Sequence, residues 1–170
     1  MRDLLVQDKD AETKLSEDMK TRLLGLLAEK GHAVEVVELG RSDVNPCLGC
    51  FSCMTQNNGK CVQKDILTEL GNKKQEYGMT IFLTPVLFGH LTSTIKAALE
   101  RGIGCLDTWV IIGLGSDITD EEKNTFIDLT AKHLGRVDIV HPGSLKEAVV
   151  YVGSSLADNG AICSAVSKIL

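Results

Sequence analysis

Aromatic side chains, an excess of basic charge and long apolar runs are all scarce in this 170-residue chain. Aromatic residues make up 4% of the sequence against 44% apolar residues overall, so the predicted core is aliphatic. Eighteen Lys and Arg face twenty-three Asp and Glu, and this net charge of -5 argues against a nucleic-acid partner. No apolar run approaches the roughly 20 residues of a membrane span, and the N-terminus lacks the apolar stretch of a signal peptide. We therefore expect a cytoplasmic protein with no membrane or nucleic-acid partner.

Common catalytic signatures are also missing. Gly113-Leu114-Gly115 lacks the third glycine of a dinucleotide fingerprint and lies late in the chain. There is no Walker motif, and no serine occupies a nucleophile elbow. The four histidines are scattered along the chain at His32, His90, His133 and His141. We therefore assign no catalytic acid, base or nucleophile.

What the chain does contain is a dense group of cysteines. Four of the six, Cys47, Cys50, Cys53 and Cys61, fall within one short stretch. The first three are spaced three residues apart, so one wrapped loop can direct their sulfurs toward a common centre. The turn predicted at Asn57-Asn58-Gly59 returns the chain, so that Cys61 can be a fourth ligand. Four thiolates suit an iron–sulfur cluster or a structural zinc.

The triple C-x2-C-x2-C spacing favours the cluster, because zinc sites more often use two separated C-x2-C pairs. The pattern is not that of a bacterial ferredoxin, since Val62 and not proline follows the last cysteine. Four reduced cysteines that bind nothing remain an alternative, whereas disulfides are disfavoured in a cytosolic chain. Cys105 and Cys163 are isolated, and we expect both to be buried as small apolar residues.

Hydrophobic periodicity predicts alternating strands and helices. The predicted strands cover residues 4–6, 33–39, 79–84, 107–114 and 137–140. The predicted helices run from Ser16 to Gly31 and over residues 66–77, 92–101, 119–134 and 144–152, with another helix near the C-terminus. Ser16 is the predicted N-cap of the first helix, Thr119 begins a capping box, and Gly135 ends the helix that follows it.

This alternation predicts an α/β fold with a doubly wound parallel sheet of five strands in the order 2-1-3-4-5 and helices on both faces. Ligands of such sheets bind at the carboxyl ends of the strands. We expect one domain over residues 1–170, with a cysteine-rich insert at about residues 45–65.

The segments that follow the first and third predicted strands are both candidate ligand sites. The first strand leads into residues 8–14, which contain three acids and no glycine. Lys9, Thr13 and Lys14 could meet a phosphate there, but a solvated acidic connection is an equal alternative. The exit of the third strand, residues 84–89, combines proline, glycine and Phe88. A flat ligand could stack there, although a plain turn with Phe88 in the core is the competing interpretation.

Together these stretches resemble the NADPH-dependent FMN reductase superfamily, and within it the iron–sulfur flavoprotein branch. The resemblance covers about the first 105 residues. It rests on Asn45-Pro46-Cys47-Leu48-Gly49-Cys50-Phe51-Ser52-Cys53, on Gly59-Lys60-Cys61 with Lys64-Asp65, and on Thr84-Pro85-Val86-Leu87-Phe88-Gly89 with Ser93 and Lys96.

The resemblance implies a flavodoxin-like fold, noncovalent FMN and electron transfer between a reduced donor, such as NAD(P)H, and a small-molecule or protein acceptor. It implies a homo-oligomer and a [4Fe-4S] cluster on Cys47, Cys50, Cys53 and Cys61, with zinc as the alternative. The residues that it assigns to the flavin are Ser16, Thr84, Pro85, Val86, Leu87, Phe88, Gly89, Gly113, Gly115, Ser116 and Asp117.

Two departures from the family pattern matter. The Gly-Ser-Pro-Arg phosphate loop of the family falls on Asp8-Lys9-Asp10-Ala11, and Leu87 stands where the family has tyrosine. FMN would therefore need a rebuilt phosphate site. Three hypotheses remain open: an electron-transfer flavoprotein with a cluster, an NAD(P)H-dependent FMN or quinone oxidoreductase without one, and a flavin-free scaffold or sensor with a four-cysteine metal site.

Overall fold

A five-stranded parallel sheet forms the centre of the computed structural model, which describes residues 2–58, 60–101, 108–140 and 147–170. The strands lie in the order β2-β1-β3-β4-β5. Their bounds are Arg2–Asp8 for β1, Ala33–Leu39 for β2, Tyr77–Pro85 for β3, Thr108–Leu114 for β4 and Glu147–Gly153 for β5. All four neighbouring pairs are parallel, so the predicted doubly wound 2-1-3-4-5 sheet is confirmed.

Six helices connect the strands or follow them in the part of the chain that the structure describes. They are α1 (Lys14–Glu29), α2 (Ser52–Thr55), α3 (Ile66–Lys73), α4 (Ser93–Glu100), α5 (Asp120–Val140) and α6 (Leu156–Val166). Short 3-10 turns occupy Lys9–Ala11 and Lys74–Glu76. Within the described ranges, no helix has both the length and the apolar character needed to cross a membrane.

The helices pack on both faces of the sheet because alternate strand residues point to opposite sides. One face buries Leu4, Phe82 and Ile111 against α3, α4 and α5, and the other buries Ile81 and Val110 against α1 and α6. The core is largely aliphatic, as predicted, with one aromatic pair at its centre. The rings of Phe82 and Trp109 lie 5.4 Å apart at an interplanar angle of 59°.

The first helix begins earlier than predicted. Its N-cap is Thr13, whose side chain accepts a hydrogen bond from the Ser16 N–H, while Ser16 Oγ accepts one from the Thr13 N–H. The prediction of Ser16 as N-cap was therefore wrong, because Ser16 is the third helical residue of a capping box. The second predicted capping box is confirmed, since Thr119 and Glu122 bond each other reciprocally.

The C-terminal third departs from prediction. Residues 137–140, predicted as a strand, belong to α5, which continues through Gly135. The fifth strand lies instead at Glu147–Gly153, over most of a predicted helix, and pairs with β4 along its whole length. An added Cβ at Gly135 would meet nothing within 4 Å, so this glycine sits in open space. A glycine in a helix costs only about 1 kcal/mol, which tertiary packing easily offsets.

Candidate functional site

A cavity of about 630 Å³ opens at the carboxyl edge of the sheet. Five chain segments form it: the start of α1, the exits of β3 and β4, the first turn of α5, and the connection from β5 to α6. Its lining residues are Thr13, Lys14, Leu15, Pro85, Val86, Leu87, Phe88, Leu114, Gly115, Ser116, Asp117, Ile118, Glu122, Ser154, Ser155 and Leu156. This is the edge at which doubly wound sheets bind ligands.

The start of α1 supplies the basic side of the cavity. Thr13, Lys14 and Leu15 line it, and the first N–H groups of a helix have no acceptor inside the helix. Lys14 is exposed and forms no ion pair in the part of the chain that the structure describes. The Thr13 side chain accepts the Ser16 N–H, and the N–H groups of Lys14 and Leu15 lie beside the Lys14 ammonium group, an arrangement suited to an anion.

The acids of the first loop are engaged away from this cavity. Asp8 accepts a hydrogen bond from the Asp10 N–H, and Asp10 in turn accepts one of 2.6 Å from the Arg41 N–H. Glu12 pairs with Lys20 at 3.0 Å, and this hydrogen bond lowers the pKa of the Glu12 carboxyl. None of the three acids lines the cavity. The acidic loop therefore does not seal the ligand edge.

The exit of β3 forms a tight turn at the mouth of the cavity. Leu87 and His90 exchange two backbone hydrogen bonds of 3.0 and 2.9 Å. The central residues, Phe88 and Gly89, have φ of 50° and 73°, which is the backbone of a type I′ turn. Phe88 is 89% exposed, so the interpretation that buried it in the core was wrong. A bulky residue at positive φ costs about 1–2 kcal/mol, and such strain concentrates at ligand sites.

Two glycines allow the turn and the β4 exit to pack closely. A Cβ on Gly89 would lie 2.8 Å from Thr125 Cγ2 of α5. A Cβ on Gly113 would lie 2.8 Å from both the Phe126 ring and Val86 Cγ2. These glycines therefore support the cavity wall from behind, and neither lines it.

The structure brings most of the predicted flavin residues together. Seven line the cavity: Pro85, Val86, Leu87, Phe88, Gly115, Ser116 and Asp117. Four lie outside the lining: Ser16, Thr84, Gly89 and Gly113. Thr84 is buried and accepts a hydrogen bond from the Thr92 N–H at the start of α4.

The connection from β5 to α6 adds lining residues that sequence reasoning missed. Ser155 caps α6 by accepting a hydrogen bond from the Asp158 N–H. The Asp158 carboxylate accepts hydrogen bonds from the N–H and hydroxyl of Ser154, and the backbone bond is the main cause that lowers the pKa of Asp158. Ser-x-x-Asp before an apolar run was the available signal, hidden by the wrongly predicted helix over residues 144–152.

The cysteine segment lies between β2 and α3. Cys47 and Cys50 are exposed, Cys53 and Cys61 are half-buried, and all four are free thiols. Asn58 has a φ of 47°, as expected for the predicted turn, while Gly59 lies outside the described residues. The sulfurs share a segment but are not assembled. Among the described residues, no three Cys, His, Asp or Glu side chains form a group that could hold a metal ion.

The environments of individual cysteines differ. The backbone N–H and the hydroxyl of Ser52 lower the pKa of the exposed Cys50 thiol. Cys163 is half-buried beside Met19, with their sulfurs 3.9 Å apart, and its burial raises the pKa of its thiol. The prediction of Cys163 as a small apolar residue is thereby supported, whereas Cys105 lies outside the described residues.

Comparison with known proteins places these features in context. A family model described as NADPH-dependent FMN reductase matches residues 11–104. The chain is 32% identical over 83 residues to an iron-sulfur flavoprotein of Archaeoglobus fulgidus, a match that covers 46% of this chain and 40% of that protein. It is 33% identical over 78 residues to an iron-sulfur flavoprotein of Methanocaldococcus jannaschii, covering 46% of this chain and 39% of that protein. The chain thus matches about two fifths of the length of these curated relatives.

The fold extends the similarity over the whole chain. An NAD(P)H:quinone oxidoreductase from Methanothermobacter marburgensis superposes with a TM-score of 0.69 at 12% identity. The superposition covers 99% of this chain and 93% of that one. This likeness confirms the flavodoxin-like fold predicted from the sequence.

Proposed function

The chain belongs to the NADPH-dependent FMN reductase family, and we propose that it binds FMN in the edge cavity and moves electrons between a reduced donor and an acceptor. The observation that supports this proposal is the cavity of about 630 Å³ whose wall contains seven of the residues expected to contact flavin. Its volume lies within the range of about 300–1,000 Å³ that is typical of ligand pockets. Bound flavin supplies the redox chemistry, and the protein supplies binding and orientation.

The ring end of the proposed flavin site is the β3 turn. Pro85, Val86 and Leu87 give it an apolar wall, and the exposed ring of Phe88 stands at its mouth. Gly115 and Ser116, at the exit of β4, lie beside this turn, since the Val86 N–H donates to the Leu114 carbonyl at 2.9 Å. A planar ring on the cavity side of these neighbouring segments would meet apolar side chains from one and polar backbone from the other, which is typical of cofactor sites.

The phosphate end of the proposed site is the first turn of α1. The family's glycine-containing loop is absent, but Lys14 and Leu15, the first two helical residues, line the cavity, and Lys14 forms no ion pair among the described residues. The hydroxyl of Ser155 lies on the same cavity wall. Charge-assisted hydrogen bonds of this type contribute about 1.5–3 kcal/mol each.

Flavin titration tests the proposal. Wild-type protein and Lys14→Gln are titrated with FMN and with riboflavin, and binding is followed by quenching of flavin fluorescence. We expect Lys14→Gln to weaken FMN binding by about 10- to 100-fold and to leave riboflavin binding unchanged, because riboflavin has no phosphate. Lys132→Gln, a change at an exposed ion pair on α5, is the matched control. The absence of flavin binding in the wild type, or equal weakening for both flavins, would contradict the proposal.

The four cysteines form the second part of the proposal, as ligands of a [4Fe-4S] cluster or, alternatively, of zinc. The chemistry of the donor set fits, since all four thiols are free and lie in one segment. Among the described residues, their positions do not bring three donors together. Retention of such thiols requires a reducing compartment, such as the cytoplasm. Iron, sulfide and zinc analysis of protein purified without oxygen tests this part, with Cys53→Ser as the variant that removes one donor.

The absence of an assembled metal group in the described residues favours one alternative, an NAD(P)H-dependent FMN or quinone oxidoreductase without a cluster. This alternative predicts that flavin-dependent turnover with NADPH survives Cys53→Ser. The cluster hypothesis predicts loss of electron transfer to a one-electron acceptor in the same variant. A homo-oligomer, expected from the family, remains a prediction that sedimentation equilibrium tests.

A further inference from the structure

The charges on the wall of the edge cavity are divided between the two faces of the sheet. Among the described lining residues the one cation, Lys14, lies at the start of α1, whereas the carboxylates of Asp117 and Glu122 lie after β4 and in the first turn of α5. Helix α1 packs on one face of the sheet through Met19, and α5 packs on the other through Phe126. The cavity therefore has a basic end at Lys14 and an acidic end at Asp117 and Glu122.

The carboxylate of Glu122 is held in one orientation by the capping box of α5. Glu122 Oε2 accepts hydrogen bonds from the Thr119 N–H at 2.9 Å and from the Thr119 hydroxyl at 3.0 Å. The Glu122 N–H in turn donates to Thr119 Oγ1 at 3.1 Å. Glu122 is half-buried, whereas Asp117 is exposed and accepts a hydrogen bond of 3.0 Å from the Ser116 hydroxyl. Glu122 therefore places a negative charge at a fixed position on the cavity wall.

The acidic end of the cavity borders the β3 turn that carries Phe88. A Cβ added to Gly89 would lie 3.3 Å from the Glu122 carbonyl, so the first turn of α5 passes close to this turn. The exit of β4, which leads to Asp117, lies beside the end of β3, because the two strands pair up to their last residues. The two carboxylates therefore border the part of the cavity where a planar ring would bind, while Lys14 borders the part proposed for a phosphate.

The start of α5 would attract anions if its own acids did not oppose them. The N-terminus of a helix carries roughly half a positive charge. The first turn of α5, however, contains three acids, which are Asp120, Glu121 and Glu122. The next cation along the helix, Lys123, pairs with Asp120 at 3.3 Å. The acids therefore outweigh the helix dipole, and a negatively charged group at this end of the cavity is repelled.

We propose that Glu122, assisted by Asp117, is a specificity-determining residue of the cavity, which excludes planar partners with a negative charge beside the ring and admits uncharged or cationic ones. The inference rests on the proposed function in one respect, since it takes the acidic end as the place where a ring binds. Two like charges about 7 Å apart, at effective dielectric constants of about 80 to 20, change an affinity by about 3- to 50-fold. Repulsion of this size is enough to select among ring ligands that otherwise have the same shape.

Two planar probes that share one ring system and differ in charge test the inference. Flavin-free protein is titrated with anthraquinone-2-sulfonate and with the uncharged 2-(hydroxymethyl)anthraquinone, and isothermal titration calorimetry gives the two dissociation constants. We expect the wild type to bind the uncharged probe more tightly. Glu122→Gln should tighten binding of the sulfonate by about 5- to 10-fold and leave the uncharged probe within about twofold. Glutamine serves at this capping-box position as glutamate does, so the start of α5 is retained.

Asp117→Asn is the second variant, and Glu121→Gln is the matched control. Asp117→Asn should also tighten binding of the sulfonate, but less than Glu122→Gln does, because the exposed Asp117 is more fully screened by solvent. Glu121 is exposed and lies outside the cavity lining, so Glu121→Gln should leave both probes within about twofold. Salt at about 1 M, where the Debye length is about 3 Å, should reduce the preference of the wild type for the uncharged probe.

Charge selection and flavin binding can fail separately in these titrations. If the wild type binds neither probe, or if Glu122→Gln leaves the ratio of the two dissociation constants unchanged, the inference is overturned whether or not FMN binds. FMN itself should bind Glu122→Gln within about threefold of the wild type, because its phosphate is proposed to meet Lys14. If FMN does not bind the wild type but the probes are still separated by charge in the expected way, the proposed flavin site fails and the specificity of the cavity stands.

Discussion

Removing one partner of the buried ion pair between Arg101 and Asp65 should destabilise the protein strongly. Breaking a buried ion pair by removing one side costs about 3–5 kcal/mol, because a buried charge is left without compensation. In Arg101→Met the Asp65 carboxylate keeps its N–H donors from Asn45 and α3, so we expect the lower end, about 3 kcal/mol. In Asp65→Asn the guanidinium keeps the Asn45 carbonyl and Thr68 but loses the carboxylate that pairs with it, so we expect about 3–4 kcal/mol.

The double variant measures the coupling between the two groups. Since neither charge is then left alone, its loss should fall short of the sum of the single losses by about 2–3 kcal/mol. Urea unfolding followed by circular dichroism gives the free energies, provided that the slopes agree among variants. Lys132→Met at the exposed pair with Asp128, whose side chains are 67% and 59% exposed, should cost less than about 0.5 kcal/mol. A loss below about 1 kcal/mol in Arg101→Met, or strict additivity in the double variant, would refute the reasoning.

Three further predictions follow from single residues. Burial raises the pKa of Asp65, but the hydrogen bonds from Arg101 and from the Asn45 and Thr68 N–H groups, with the charge of Arg101, together outweigh it and lower the pKa. The stabilisation is therefore complete above the unfolded value of about 3.9 and is lost as pH falls through the folded value, so urea unfolding should show wild type and Asp65→Asn converging as pH falls below about 4. Phe88→Asn should raise stability by about 0.5–1 kcal/mol, because asparagine tolerates positive φ, yet weaken flavin binding in fluorescence titration; stability that falls would contradict the turn strain. Gly113→Ala should lower the free energy of unfolding by about 1–3 kcal/mol, because the added methyl group would clash with the Phe126 ring. An unchanged melting temperature would contradict this, since it would mean that Phe126 moves aside without cost.

The sheet order was predictable because apolar strand segments alternate with helical segments over the first two thirds of the chain, and this alternation leaves few topologies. The last strand was misplaced because residues 137–140 are too short an apolar run to distinguish strand from helix. The position of the last strand is set by pairing in the folded sheet, because Glu147–Gly153 pairs with β4 along its whole length without a shift in register.

The parts of the candidate site that depend on neighbouring residues in the sequence could be predicted. The β3 turn follows from proline and glycine in sequence, and it forms where expected. The contribution of Ser154 and Ser155 was missed because the helix wrongly predicted over residues 144–152 hid the end of β5 and the cap signal at Ser155. The ion pair between Asp65 and Arg101 also escaped prediction. The two residues are 36 positions apart, and they meet only after α3 and α4 pack.

A chain with this fold can lack the family's phosphate loop and still have a place for a phosphate. The acids that replace the loop would repel a phosphate if they faced the cavity, but the structure draws them toward β2. Lys9 pairs with Asp43 at 2.6 Å, and a Cβ on Gly40 would lie 2.5 Å from Lys9 Cε, so the first loop is folded tightly against the loop after β2. That packing leaves Lys14, at the start of α1, on the cavity wall, where we propose that it meets the phosphate. An anion site built from a helix start and one lysine needs no glycine loop, which is why the missing motif by itself does not argue against FMN.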